Sequence, residues 1–190
     1  TGSPTGAAIF FAKSVNGGVT FSVPGKISDV TPVMDPGASL ICGRPALNGG
    51  IRANDFPVIG VDTGAASPFQ GNVYVAWNDM GSGDAEILGS KSENGGVTWE
   101  VPGVLNAEGA GTDQFFPWGT IMPNGRIGVM WYDRKNDPSN NWWIHVYLGE
   151  STDAGETWTQ RRITANPFPV VVNLDTIGCY MGDYNQVTNN

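Results

Sequence analysis

The sequence predicts an all-β chain assembled from repeated four-stranded units. Three observations carry this. Glycine and proline account for 27 and 13 of the 190 residues, which leaves little room for helix. The longest stretch free of both runs from Glu156 to Asn166, about the length of one average helix. Apolar residues recur at every second position in Val73 to Trp77 and Ile127 to Trp131, the period of a half-buried strand. Finally, one short motif occurs three times: Ser14-Val-Asn-Gly-Gly-Val-Thr-Phe21, Ser92-Glu-Asn-Gly-Gly-Val-Thr-Trp99 and Ser151-Thr-Asp-Ala-Gly-Glu-Thr-Trp158. Its shared form is S-x-(D/N)-x-G-x-T-(W/F).

The repeat extends beyond this box. Lys13 and Lys91 precede the first two copies, and Val23-Pro24-Gly25 matches Val101-Pro102-Gly103 at the same offset. Phe56-Pro57 and Phe116-Pro117 each open a unit. Gly71-Asn-Val-Tyr-Val-Ala-Trp-Asn-Asp79 answers Gly125-Arg-Ile-Gly-Val-Met-Trp-Tyr-Asp133. Residues 1–29 then read as the third and fourth strands, C and D, of a first unit. Residues 30–54, rich in Gly, Pro, Asp and Asn, read as an insertion. Residues 55–107 form a second unit, with strand A near Phe56 to Val61, B from Val73 to Asp79, C from Ala85 to Lys91 and D from Thr98 to Leu105. Residues 108–166 form a third, with strands near Phe115 to Met122, Arg126 to Asp133, Trp142 to Glu150 and Thr157 to Ile163. Trp142 to Leu148 is apolar on both faces, as in a strand covered on both sides. Residues 167–190 begin a further unit. Four short strands in roughly 50 to 60 residues describe a β-propeller blade.

The box is expected to be the C-to-D hairpin turn. Gly18, Gly96 and Gly155 share a position, which calls for a backbone angle that glycine adopts at low cost. Asn16, Asn94 and Asp153 can accept hydrogen bonds from turn amides, and Ser14, Ser92 and Ser151 can add a second. Phe21, Trp99 and Trp158 are expected to bury a ring against the sheet. The box is read as a structural staple in preference to a ligand site.

Composition narrows the function. The formal net charge is −8, from 10 Lys+Arg against 18 Asp+Glu, and it repels phosphate backbones, so no nucleic-acid partner is expected. No apolar run is long enough to span a membrane. The hydrophobic content of 40% excludes a disordered tail. Cys42 and Cys179 pair if the first and last segments meet, and otherwise are two buried free thiols. Neither has metal-ligand spacing. The opening Thr1 to Gly6 is not a signal peptide, so either a leader was removed or the chain starts inside a longer protein.

The boxes resemble the Asp-box, or BNR, repeats of sialidases and related β-propellers. Gln114-Phe-Phe-Pro117, Trp131-Tyr-Asp-Arg134 with Asn136-Asp-Pro138, and Gly182-Asp-Tyr184 are similar to bacterial secreted sialidase-like proteins. The resemblance covers about Ala7 to Tyr184 and implies blades of a six-bladed sialidase-like propeller, located extracellularly, as a secreted or cell-surface protein. Two boxes carry Asn where the family has Asp, which leaves the turn chemistry intact. The chain holds roughly three units, whereas closed propellers have about 4 to 8 blades. The rest of a longer chain, or a second copy, is therefore expected to close the ring.

The resemblance also implies a chemistry. Sialidases use three arginines for the substrate carboxylate, a tyrosine nucleophile activated by glutamate, and an aspartate acid/base. Arginine forks suit carboxylates, and glycosidic cleavage needs a proton donor beside a nucleophile or base. Arg44, Arg52 and Arg134 are the candidate carboxylate ligands, with Arg52 placed on the innermost strand and Arg134 alternatively paired with Asp133 or Asp137. Asp183 and Tyr184 are the candidate catalytic pair, alternatively a turn cap and a buried ring. His145 is expected to be packed. No cofactor is required. Ca²⁺ is a candidate ligand for Asp79, Asp84 and Asp113, which are otherwise solvated loop carboxylates. Trp118 and Trp142 are the tryptophans least explained by packing, and could stack on sugars. The expected function is exo-glycosidase action on sialylated or related acidic glycans. The alternative is a non-catalytic propeller that binds carbohydrate or a surface glycoprotein, or a purely structural module.

Overall fold

A computed structural model describes residues 7–33, 46–106, 111–170 and 185–188. It contains twelve strands among the described residues, all paired antiparallel. Strands β1 (Ala7–Phe11) and β2 (Gly25–Val30) form a two-stranded sheet. Strands β3 (Ala46–Leu47) and β4 (Ile51–Arg52) form a small hairpin around a 3-10 turn, Asn48–Gly50. Strands β5 (Val58–Val61), β6 (Val73–Asp79), β7 (Glu86–Ser92) and β8 (Gly103–Val104) follow one another across a four-stranded sheet. Strands β9 (Gln114–Ile121), β10 (Ile127–Asp133), β11 (His145–Ser151) and β12 (Thr159–Arg162) do the same. The hairpin β3–β4 falls within the stretch read as an insertion.

The repeat read in the sequence is a repeat of register. Val73 pairs with Ser92 at one end of β6–β7 and Asp79 with Glu86 at the other. Ile127 pairs with Ser151 and Asp133 with His145 in β10–β11. Each box therefore begins where the hairpin ladder ends. Inside each box the same bonds recur. The N–H groups of Gly18, Gly96 and Gly155 donate to the serine Oγ four residues earlier at 2.8 Å. These glycines have φ of 87°, 89° and 89°, which explains their recurrence. The N–H groups of Thr20, Thr98 and Thr157 donate to Asn16, Asn94 and Asp153 at 3.0, 2.9 and 3.0 Å. One bond reverses polarity with residue type. The Asn16 and Asn94 amides donate to threonine Oγ1, whereas the Thr157 hydroxyl donates to Asp153.

Neighbouring sheets pack through equivalent residues. Trp77 is fully buried with Ile9, Val30 and Val75, between the first two sheets. Trp131, at the same repeat position, is fully buried with Ile87, Ile127, Val129 and Tyr147, between the second and third. Truncating such a tryptophan costs about 3–5 kcal/mol. Trp99 meets Phe11 edge-on, with centroids 5.3 Å apart.

Three expectations need correction. Phe21 is not buried but 65% exposed. Its counterpart Trp99 is covered by Phe11 of the sheet in front, and no described sheet lies in front of the first box. Strand C of the third unit starts at His145, not Trp142, because the N–H groups of Trp142 and Trp143 donate to the Asp137 carboxylate at 3.2 and 3.1 Å. That leaves both rings partly exposed in a loop. Strand D of the second unit shrinks to Gly103–Val104, since Pro102 has no N–H for the ladder.

Candidate functional site

A cavity of about 350 Å³ opens where the starts of β5 and β9 meet the end of β6. Its apolar walls are Phe56 and Pro57 before β5, and Phe116, Pro117 and Trp118 in β9. Three amides, Asn54, Asn78 and Asn185, complete it with Val58. The two Phe-Pro pairs are the repeated elements that open each unit.

The β9 wall is built on a bulge. Phe115 pairs with Tyr132 and Trp118 with Met130, so Phe116 and Pro117 together face Trp131. Phe116 takes φ of 55°, an outlier for a bulky side chain, and more so before proline. Bulges and strained residues of this kind re-aim side chains beside sites. Packing over-determines the strain. Phe115 and Tyr132 both lie edge-on to Phe116, at 5.5 and 6.1 Å. The Tyr132 hydroxyl donates to Asn185 Oδ1 at 3.0 Å, and Asn185 Nδ2 donates to the Phe116 carbonyl at 3.3 Å. Burial raises the Tyr132 hydroxyl above its ordinary range.

One hydrogen bond behind the cavity lies Asp55. Its carboxylate accepts from Asn78 Nδ2 at 2.7 Å and from the Val33 N–H at 3.1 Å. Burial pushes this carboxyl up to about 6, the two hydrogen bonds oppose the rise, and the nearby Asp79 charge adds to it. Asp79 holds the N–H groups of Thr31 and Gly81 at 2.9 and 2.7 Å. Asn78 is fully buried and its Oδ1 has no hydrogen-bond partner among the described residues.

The residues singled out by the sequence scatter. Arg44, Asp183, Tyr184, Cys42 and Cys179 lie outside the described residues. Asn185, which follows Tyr184 directly, lines the cavity. Arg52 sits on β4 of the small hairpin, not on an innermost sheet strand. Arg134 is fully buried. It pairs with neither Asp133 nor Asp137 through its side chain. Its Nη1 donates to Asp113 Oδ2 at 3.3 Å and its Nη2 to the Asn48 carbonyl at 2.7 Å, and the guanidinium lies 5.3 Å from the Phe115 centroid. Committed in this way, it is a strut between β9, β10 and the β3–β4 hairpin, not a fork for a ligand. Burial raises the Asp113 carboxyl, while the Ala85 N–H, Arg134 and Asn141 pull it back.

Among the described residues no group of three or more His, Cys, Asp or Glu side chains is placed to hold a metal. Asp79, Asp84 and Asp113 each hold a different backbone N–H: Gly81, Gly111 and Ala85. His145 is buried, with Nδ1 2.9 Å from Thr164 Oγ1, and burial lowers its pKa. Of the two tryptophans left unexplained by the repeat, Trp118 lines the cavity. Trp142 packs over Gly49 so closely that a Cβ there would come within 3.2 Å of its ring. Sequence reasoning missed Asp55 and Asn78. The available signal was the repeat itself, which places Asp55 where the sister unit buries Phe115.

No protein-family model matches the chain, and no curated protein matches it. Among solved structures, it is similar to the GH93 α-L-arabinofuranosidase of Fusarium graminearum in complex with arabinobiose. The match has a TM-score of 0.50 and 18% identity, and covers 90% of this chain and 44% of that one. The likeness shows the fold. The four-stranded sheets are β-propeller blades, and the chain spans less than half the length of that enzyme.

Proposed function

We propose that the chain is part of a carbohydrate-active propeller of the glycoside hydrolase type, and that the cavity beside Asp55 holds a glycosyl unit. One observation carries this: a buried carboxyl that titrates near pH 6 stands one hydrogen bond behind a pocket of aromatic, proline and amide groups. Aromatic faces with a few placed polar groups suit a sugar ring. A carboxyl protonated up to about pH 6 lies in the range of a general acid, and Asp55 meets the cavity through the Asn78 amide from which it accepts. The propeller neighbour, an α-L-arabinofuranosidase, supports the same class. The finer reading, exo-hydrolysis of sialylated or acidic glycans by an extracellular protein, rests on the sialidase resemblance through Arg44, Arg52, Asp183 and Tyr184. A binding module without turnover is the second reading. It is favoured by the position of Asp55 behind Asn78 rather than on the cavity wall.

The full-length protein is to be assayed with arabino-oligosaccharides and with a fluorogenic sialoside. Turnover that falls as pH rises above about 6, and that drops by about 100-fold or more in Asp55→Asn, supports the acid role. Binding without turnover establishes the second reading. Neither binding nor turnover overturns the carbohydrate assignment.

A further inference from the structure

A second cavity, of about 220 Å³, lies between the two complete blades. Among the described residues it shares only Val58 with the cavity beside Asp55. Its second-blade wall is short of side-chain volume, with Gly60, Ala76 and Gly89 in it. Ile121 and Leu105 pack over the two glycines so closely that a Cβ on either would come within 2.9 Å. Val129 and Trp158 line it from the third blade. Several polar side chains of the wall already have partners inside the protein. Ser90 Oγ donates to the Glu100 carbonyl at 2.8 Å and Trp158 Nε1 to the Gly155 carbonyl at 3.0 Å, and the Tyr74 hydroxyl accepts from Asn72 Nδ2 at 3.2 Å.

We infer that this cleft binds a small, neutral, apolar molecule, a single ring with a short substituent such as toluene. The inference stands apart from the carbohydrate reading. An apolar cavity of about 150 Å³ stays dry and admits benzene, so about 220 Å³ admits a substituted ring. A wall whose polar groups are already paired offers a polar ligand little in exchange for the water it leaves. The mouth selects against an anionic ligand. Glu93, Glu100 and Glu156 surround the single ammonium of Lys91 at 3.1, 3.3 and 2.7 Å, and all three carboxylates are largely exposed. Lys91, Glu100 and Glu156 also line the cleft, so a further carboxylate there meets more negative than positive charge. Because each blade supplies one wall, an occupant holds the two blades together and stabilises the folded state by mass action.

The test titrates the full-length protein with toluene and with benzoate, which sets a carboxylate on the same ring. Toluene is expected to shift the Leu105, Ile121 and Val129 methyl resonances saturably and to raise the melting temperature. Benzoate is expected to bind at least about tenfold more weakly. Ala76→Leu, which fills the cleft from the second blade, is expected to weaken toluene binding by at least about tenfold. If that variant does not fold, xenon-pressurised crystals of the wild-type protein give the same readout, with xenon expected between β6 and β9. Toluene shifts that do not saturate or that fall elsewhere, undiminished binding by folded Ala76→Leu, or a cleft free of xenon overturns the inference. Benzoate bound as tightly as toluene overturns the neutral class of ligand. All of these results leave the sugar assays to stand or fall by themselves.

Discussion

Two aspartates shift in opposite directions, and each shift sets a pH limb. Asp55 titrates near 6 in the folded protein, against about 3.9 in an unfolded chain. Burial disfavours its charged form, so the folded state binds the proton more tightly. Its contribution to stability is complete below about pH 4 and is lost as pH rises to about 6, by at most about 3 kcal/mol. Chemical denaturation between pH 4 and 7 should show the wild type losing stability while Asp55→Asn stays nearly level. Parallel curves for the two would rule this out. Asp153 behaves conversely. The Thr157 hydroxyl and N–H and the Ser151 hydroxyl hold its carboxyl down at about 2, so its contribution is complete above about pH 4 and is lost towards pH 2. The asparagines of the other two boxes do not titrate, which makes this box the acid-sensitive one.

At the scale of elements, the boxes separate turn strain from packing. Gly18 and Gly96 have nearly the same φ, but a Cβ on Gly18 would meet nothing within 4 Å, whereas on Gly96 it would overlap the Phe11 ring. Gly18→Ala should therefore cost only the left-handed penalty of about 1–2 kcal/mol. Gly96→Ala should cost clearly more in thermal melts, and equal losses would mean that the sheet contact contributes nothing. Arg134 gives a second element-scale prediction. It joins β10 to Asp113, just before β9, and to the turn between β3 and β4. Arg134→Met leaves the Asp113 carboxylate buried without its cation, a loss of about 3–5 kcal/mol. The melting temperature should fall while sugar affinity in the surviving folded fraction is unchanged.

Across the molecule, one lysine links the two complete blades. Lys91 Nζ reaches Glu156 of the third box at 2.7 Å, and Glu93 and Glu100 of its own blade at 3.1 and 3.3 Å. Burial pulls its pKa down, but the three carboxylates outweigh this and raise it. Its contribution is therefore complete at neutral pH and is lost only in strong alkali. Lys13, at the same repeat position, reaches the Gly95 carbonyl of the second box at 3.4 Å. Because the glutamates are largely exposed, a double-mutant cycle between Lys91 and Glu156 should give a coupling of about 0.2–1 kcal/mol that shrinks in high salt. A coupling insensitive to salt would contradict screening at the exposed glutamate.

The sequence by itself determined the alternating central strands and the three box turns, but not the β3–β4 hairpin or the start of β11. These follow from alternation, from glycine at a left-handed angle and from side chains that bond amides within four residues, all short-range effects that repeat visibly along the chain. The truncation of β8 went unforeseen, although Pro102 lies next to it. Only the tertiary structure decided which groups meet across long separations. Asp55 finds Asn78 23 residues away, and Arg134 finds Asp113 and Asn48 21 and 86 residues away. Burial and orientation at those meetings turned an expected ligand-binding arginine into a strut. They also turned an unremarked aspartate into the group that titrates beside the cavity, because desolvation depends on what surrounds a residue in space and not on its neighbours in the chain.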